Sequence, residues 1–510
     1  MAIIIKFIYS FILAKFSLVL IFTIINNYEC AIYIPFKILE YEINNYFNSS
    51  YVIKYWKESK IYSELLIGTP SQKLGVFYTT DIYELNLFQN MCDISTSFYQ
   101  KESSSSYKYI KNINYIYNKQ LNCSIINESV YLFTDIAQTK KIVIKGINII
   151  YSENKQEEFK KNFFDKKDYE YHPNTCLIIG FQPRQSISFG YDLNFVDQIK
   201  RYKSNNKSLI INYDWTFNFI SDKEGYLIIG EKPHEYDNKN FKEEQFLSHG
   251  SKNRFYTADW FLEFDSIYYT GISVKNNSKY NSSFYSDNSV KFDLGLGLIE
   301  GTIDYENNIK IDFFNVLIAK KICYVEEIED EYRIYFCNKK LGINYIKKYF
   351  PTLKFCMNHF GICFEFDYLD LFREKNDNIY FLVYFNIKSN NSHRFIIGQI
   401  LIKKYLLTFN YDTKLIGFYD KNIVVEKKID KKTINYNHDG KIIVIFIISV
   451  IIFLIIGFLL GKKIYETTRK KKANELFDDY EYESRDINAI KSNNSLNLEM
   501  KTKYGLIDSF

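Results

Sequence analysis

The sequence predicts an all-β body joined to one transmembrane helix near the C-terminus. Two features carry that expectation. From about residue 50 to residue 425 the chain is a succession of short apolar or aromatic runs broken by Asn, Asp, Gly and Lys. Examples are "SELLIGTP", "KIVIKGINIIY", "CLIIGF", "SLIINYDWTFNFI", "GYLIIG", "RIYFC", "IYFLVYFNI" and "RFIIGQILI". Their lengths and their β-branched and aromatic content are those of strands. Second, residues 442–460, "IIVIFIISVIIFLIIGFLL", carry no charge and are long enough, at about 1.5 Å per residue, to cross a hydrocarbon core of about 30 Å.

Taken in order, residues 1–31 hold lysines at 6 and 15 and then the apolar run Phe16 to Ile25, the pattern of a signal peptide or an uncleaved signal anchor. The strand-rich body follows. With 47% hydrophobic and 18% aromatic residues in 510, the chain has ample apolar surface for a sizeable core and does not have the composition of a disordered protein. Helical spacing is confined to patches such as "LNFVDQIKRYK" and "NVLIAKKI". After the span come Lys462, Lys463, Arg469, Lys470, Lys471 and Lys472, which favour the cytosolic side. A single-pass type I arrangement follows, with the body in the lumen of the secretory pathway or outside the cell. Residues 461–510 form a polar cytosolic tail expected to be disordered. Sequons at Asn48, Asn122, Asn127, Asn206, Asn276, Asn281 and Asn390 agree with a lumenal, glycosylated body. Of 8 cysteines, Cys30 lies at the signal boundary, so the body holds an odd number and at least one is unpaired within it. A net charge of +5, partly from the juxtamembrane cluster, does not point to nucleic acid.

The order of motifs says more than the composition. "YSELLIGTPSQKLGVFY" resembles the approach to the first catalytic aspartate in the pepsin family of aspartic proteases. "FYQKESSSSYKYI", "CLIIGF", "GYLIIGEKPHEY", "DWFLEFDSIYYTG", "VKFDLGLGLIEG", "FPTLKF" and "RFIIGQILIKKYLLTFNYDTKLIGFYD" then resemble that family's later landmarks, in its order, over residues 50–422. The resemblance implies a bilobal pepsin-like fold, with an N-terminal β lobe at 50–205, a C-terminal β lobe at 206–425 and a cleft between them. It implies no cofactor and a polypeptide as substrate or binding partner.

Such a site needs two carboxylates that share one proton, one acting as base toward water and the other as acid toward the peptide carbonyl. Asp293, in "FDLGLG", stands where the second aspartate would be, but Leu294 and Leu296 replace threonines whose hydroxyls brace the pair. The first motif is further from the pattern. Counted without a gap from Gly68-Thr69-Pro70, the catalytic position falls on Thr79, followed by Thr80 and Asp81. A register with two extra residues after Gln72 puts Asp81 there instead, and also preserves strand alternation. The glycine-tipped flap that covers the family's cleft has no counterpart either, because no glycine occurs between Val76 and Lys145. The leading expectation is a membrane-anchored pseudoprotease that binds a polypeptide. The alternative is an active aspartic endopeptidase of the secretory pathway using Asp81 and Asp293. "CMNHFGIC", with Cys337, has zinc-ligand residue types, but an oxidising lumen favours a hairpin with disulfides.

Overall fold

A computed structural model describes residues 31–39, 52–53, 56–57, 59–88, 99–117, 119–152, 175–183, 193–204, 207–250, 259–272, 274, 278–283, 288–328, 330–388, 394–419, 461–463 and 465–470. The chain divides into two units, residues 1–428 and 429–510. Among the described residues no helix is long and apolar enough to cross a membrane. Of the expected signal segment at 1–31 only Ala31 is among them, and the expected span at 442–460 and most of the tail lie outside them.

The larger unit is mostly β. Its first eight strands are β1 (Ile32–Leu39), β2 (Lys60–Ile67), β3 (Gln72–Thr79), β4 (Leu85–Phe88), β5 (Lys108–Tyr117), β6 (Lys119–Phe133), β7 (Lys141–Ser152) and β8 (Thr175–Gly180). They belong to a 13-stranded sheet, in which β1 is followed by β2, β3, β8, β4, β7, β6 and β5. On its other side β1 pairs with Glu224–Ile229, and the sheet continues through Asp214–Phe219, Thr408–Asn410, Leu415–Tyr419 and Phe246–Gly250. Strands from residues 260–397 build a 9-stranded and a 4-stranded sheet. One apolar cluster runs through both parts, from Val76, Tyr78, Ile179 and Trp215 to Trp260, Phe292, Leu294 and Phe409. Trp215 stacks on Phe409 at 4.2 Å, and Trp260 packs edge-on against both rings.

β3 occupies the middle of this arrangement, antiparallel to β2 and parallel to β8. Leu74 to Tyr78 are all buried, as a strand covered on both faces requires. The apolar run "LGVFY" therefore reads as continuous instead of alternating. Local patterning misjudged one segment: in "RFIIGQILI" only Ile396–Ile397 is strand, and Gln399–Lys404 is a helix that buries Leu401 and Ile402.

The cysteine cluster is a disulfide hairpin and not a zinc site. Cys356 and Cys363 lie opposite each other across the strands Thr352–Met357 and Ile362–Phe366 and are bonded, and Cys323 is bonded to Cys337. All four sulfurs are thus withdrawn from metal ligation. Gly361, with φ at +69°, supports the turn. Cys123 is free and buried, with its thiol pushed up to about 11 by burial. No group of three or more metal-ligating side chains occurs among the described residues.

Candidate functional site

Two loops meet where the 13-stranded sheet adjoins the 9-stranded one. The first leaves β3 at Thr79, and the second leaves the strand Ser289–Phe292 at Asp293. They are built alike. The Thr79 Oγ1 accepts the Asp81 N–H at 3.1 Å, and the Asp293 Oδ1 accepts the Gly295 N–H at 2.8 Å. Each loop follows a strand paired in parallel with an Ile-Ile-Gly segment: β3 with Ile178-Ile179-Gly180, and Ser289–Phe292 with Ile396-Ile397-Gly398. Phe181 N–H donates to Thr79 O at 2.8 Å, while Asp293 N–H donates to Ile397 O at 3.1 Å. Both glycines are needed for close approach. A Cβ on Gly180 would lie 2.4 Å from Ile82 O, and one on Gly398 would lie 2.0 Å from Asp293 O. In this local equivalence Thr79 corresponds to Asp293, Thr80 to Leu294 and Asp81 to Gly295.

Thr80 ties the loops together. Its buried hydroxyl donates to Phe292 O at 3.3 Å and accepts the Leu294 N–H at 3.2 Å, the backbone groups on either side of Asp293. Trp260 Nε1 adds a bond to Phe181 O at 2.6 Å. Behind the Asp293 turn, Gln399 donates to Ser59 O at 2.7 Å and Leu294 O at 3.3 Å. On the outer side Lys60 donates to Gly295 O at 3.4 Å.

The electrostatics centre on Lys291. Its Nζ lies 3.3 Å from Asp81 Oδ1 and 3.5 Å from Asp259 Oδ1. Burial works against its charge, but Asp81, Asp259 and Asp293 outweigh this and hold the ammonium well above its ordinary range. Asp293 is raised to about 6, first by burial and then by the negative charge of Asp81; Lys291, the Gly295 amide and Lys60 oppose the rise. A half-buried carboxyl is thus held partly protonated in mildly acidic solution, beside an aspartate that is fixed in an ion pair.

Thr79, Asp81 and Asp293 are therefore brought to one junction, and Thr79, not Asp81, is the counterpart of Asp293. A hydroxyl there neither ionises nor stores a proton as a carboxyl does. Lys291 and Asp259 belong to the same site, although no motif in the sequence marks them. The available signal was a lysine in the strand "SVKF", two residues before Asp293 and between apolar neighbours. The segment without glycine does form a hairpin, with β5 and β6 paired from Lys108↔Asn127 to Tyr117↔Lys119; the side chains of Tyr115 and Tyr117 lie outside the described residues. A separate cavity of about 410 Å³, lined by Tyr33, Lys37, Tyr62, Glu64, Lys73 and Tyr131 among others, shares no residue with this site. No protein-family model matches the chain, and no curated protein matches it.

Proposed function

We propose that the chain is a membrane-anchored homologue of the pepsin-family aspartic proteases, whose interlobe cleft binds a polypeptide partner without cutting it. The observation that carries this reading is the equivalence of the two loops, in which the position equivalent to Asp293 is held by Thr79. Peptide hydrolysis in such a cleft transfers a water proton to one carboxylate as the oxygen attacks the carbonyl carbon, while the second carboxyl protonates the carbonyl oxygen; the amine leaves with a proton when the C–N bond breaks. With Thr79 in the first position the pair is one carboxyl short. Loss of one member of a catalytic unit costs on the order of 10⁴ in rate. The disulfides Cys323–Cys337 and Cys356–Cys363 agree with a body facing an oxidising lumen.

One observation favours a second reading, an active endopeptidase using Asp81 and Asp293. Asp81 is paired with a cation while Asp293 is raised, and a carboxyl raised in this way suits the acid of such a pair. Against it, the Asp81 carboxylate is engaged by Lys291 on the counterpart of a glycine. Calorimetry with a statine-type ligand on the full-length protein at acidic pH separates the two. Its hydroxyl mimics the tetrahedral intermediate and draws its affinity from a proton shared by two carboxyls. The pseudoprotease binds it weakly, and Thr79→Asp strengthens binding. Submicromolar binding by the natural chain, abolished by Asp81→Ala and by Asp293→Ala, establishes the second reading and overturns the first.

A further inference from the structure

The grip between the two loops is one-sided. By the local equivalence, Leu294 is the residue that would return the bonds made by Thr80, reaching Tyr78 O and Thr80 N–H. It is fully buried and has no hydroxyl with which to do so. Two further departures from symmetry occur at the same junction. Asp81 stands where the second loop has Gly295. Lys291 stands where the first strand has Phe77, which is buried in an apolar cluster of its own.

These two departures meet. Lys291 crosses from the second strand to the first loop and pairs with Asp81 at 3.3 Å, braced by Asp259 at 3.5 Å; the side chains of Lys291, Asp81 and Asp259 are 24%, 38% and 19% exposed. Asp293, just past the end of its own strand, and Glu300, on the strand Ile299–Gly301 beyond Ile396–Ile397, also lie within the reach of its charge. A partly desolvated ion pair whose ammonium has a second carboxylate is a more constrained connection than a surface pair.

We propose that the Asp81–Lys291 ion pair replaces the missing half of the grip, so that Lys291 is a positioning residue that fixes the two loops against each other. The three replacements, Leu294, Asp81 and Lys291, are then one consistent change: a hydroxyl connection is lost and a charged connection takes its place. This role goes beyond the reading of the cleft as a peptide-binding site and does not depend on what is bound there.

Hydrogen exchange of the full-length protein tests it. Lys291→Met is expected to speed exchange of the Leu294 and Asp81 amides by about tenfold, which corresponds to a local opening made easier by one decade. Amides of the hairpin Cys323–Ile328 and Tyr332–Asn338 serve as the distant reference and are expected to be unchanged. Lys291→Arg, which keeps the charge, is expected to exchange as the natural chain does. Leu294→Thr combined with Lys291→Met is expected to recover slow exchange, because the hydroxyl meets Tyr78 O and Thr80 N–H. Should Lys291→Met fail to accumulate as folded protein, Asp81→Asn removes the same pair and is read in the same way. Exchange within about twofold of the natural chain in either variant, or a double variant no slower than Lys291→Met, overturns the proposal.

Discussion

Replacing Thr80 with valine is the sharpest perturbation of the junction, because it keeps the β-branched shape and removes one oxygen. That oxygen serves two backbone groups, Phe292 O at 3.3 Å and Leu294 N–H at 3.2 Å, in a position that is 1% exposed. Water therefore does not take its place. Each buried polar group left unsatisfied costs about 1–3 kcal/mol, and the added methyl returns less than about 1 kcal/mol. The expected loss is about 3 kcal/mol, on the order of a hundredfold in the folding equilibrium. Thr79→Val makes the matched control. Thr79 is half-buried and accepts one N–H, from Asp81, so a water can replace its hydroxyl, and the expected loss is below about 1 kcal/mol. Urea unfolding followed by tryptophan fluorescence reads both variants, since Trp260 is bonded to Phe181 O at this junction. A Thr80→Val loss under about 0.5 kcal/mol, or a Thr79→Val loss equal to it, would refute the assignment of the grip to Thr80.

Asp293 gives a pH signature: its folded value of about 6 lies above the ordinary 3.8, so its contribution to stability is complete below the unfolded value and is lost as pH rises through about 6. The upper bound is about 3 kcal/mol. Urea midpoints measured from about pH 4 to about pH 7 should fall with rising pH, and Asp293→Asn should remove that slope. Glycine substitutions should rank by geometry. Gly398→Ala, with its Cβ 2.0 Å from Asp293 O, should prevent folding or cost more than about 3 kcal/mol. Gly361→Ala meets open space at φ +69° and should cost about 1 kcal/mol in the same unfolding assay. Finally, peptide mapping without reduction should recover Cys356 linked to Cys363 and Cys323 linked to Cys337, and chelation should leave the melting temperature unmoved. A melting temperature lowered by EDTA would bring zinc back.

The strands were legible because burial leaves a strong trace: "GYLIIG" and the second half of "KIVIKGINIIY" carry apolar, β-branched runs that lie buried in the sheet. The hairpin at Gly361 was legible from the turn chemistry of "MNHFGIC". "QILIKK" was not, since four apolar or amide-bearing residues after Ile-Ile-Gly continue a strand pattern equally well. Its helix is set by tertiary contacts, with Gln399 drawn inward to Ser59 and Leu294. The helix Ile303–Ile309 escaped for a similar reason. "IDYENNI" has few apolar residues, and its start is fixed by Thr302, whose hydroxyl accepts the Tyr305 N–H at 3.2 Å.

The site was legible in its parts and not in its pairing. Spacing from Gly68-Thr69-Pro70 left both Thr79 and Asp81 open as the residue opposite Asp293, because period-two alternation puts both on one face of a strand. The ambiguity disappears once β3 ends at Thr79 and the chain turns there. Residues beyond that point no longer follow the strand's alternation, and their directions are set by the loop's own hydrogen bonds, here Asp81 N–H to Thr79 and Gly295 N–H to Asp293. No local pattern encodes the ion pair, since its members are 210 residues apart. What sequence does encode is the oddity of each member alone, an aspartate in a turn built on a glycine plan and a lysine in an apolar strand. Each is less favourable where it stands without the other, since a partly buried charge needs partners, although Lys291 keeps Asp259 at 3.5 Å. Their meeting across the junction makes both tolerable, and it accounts for a carboxylate that lies beside Asp293 while being engaged by a neighbouring cation.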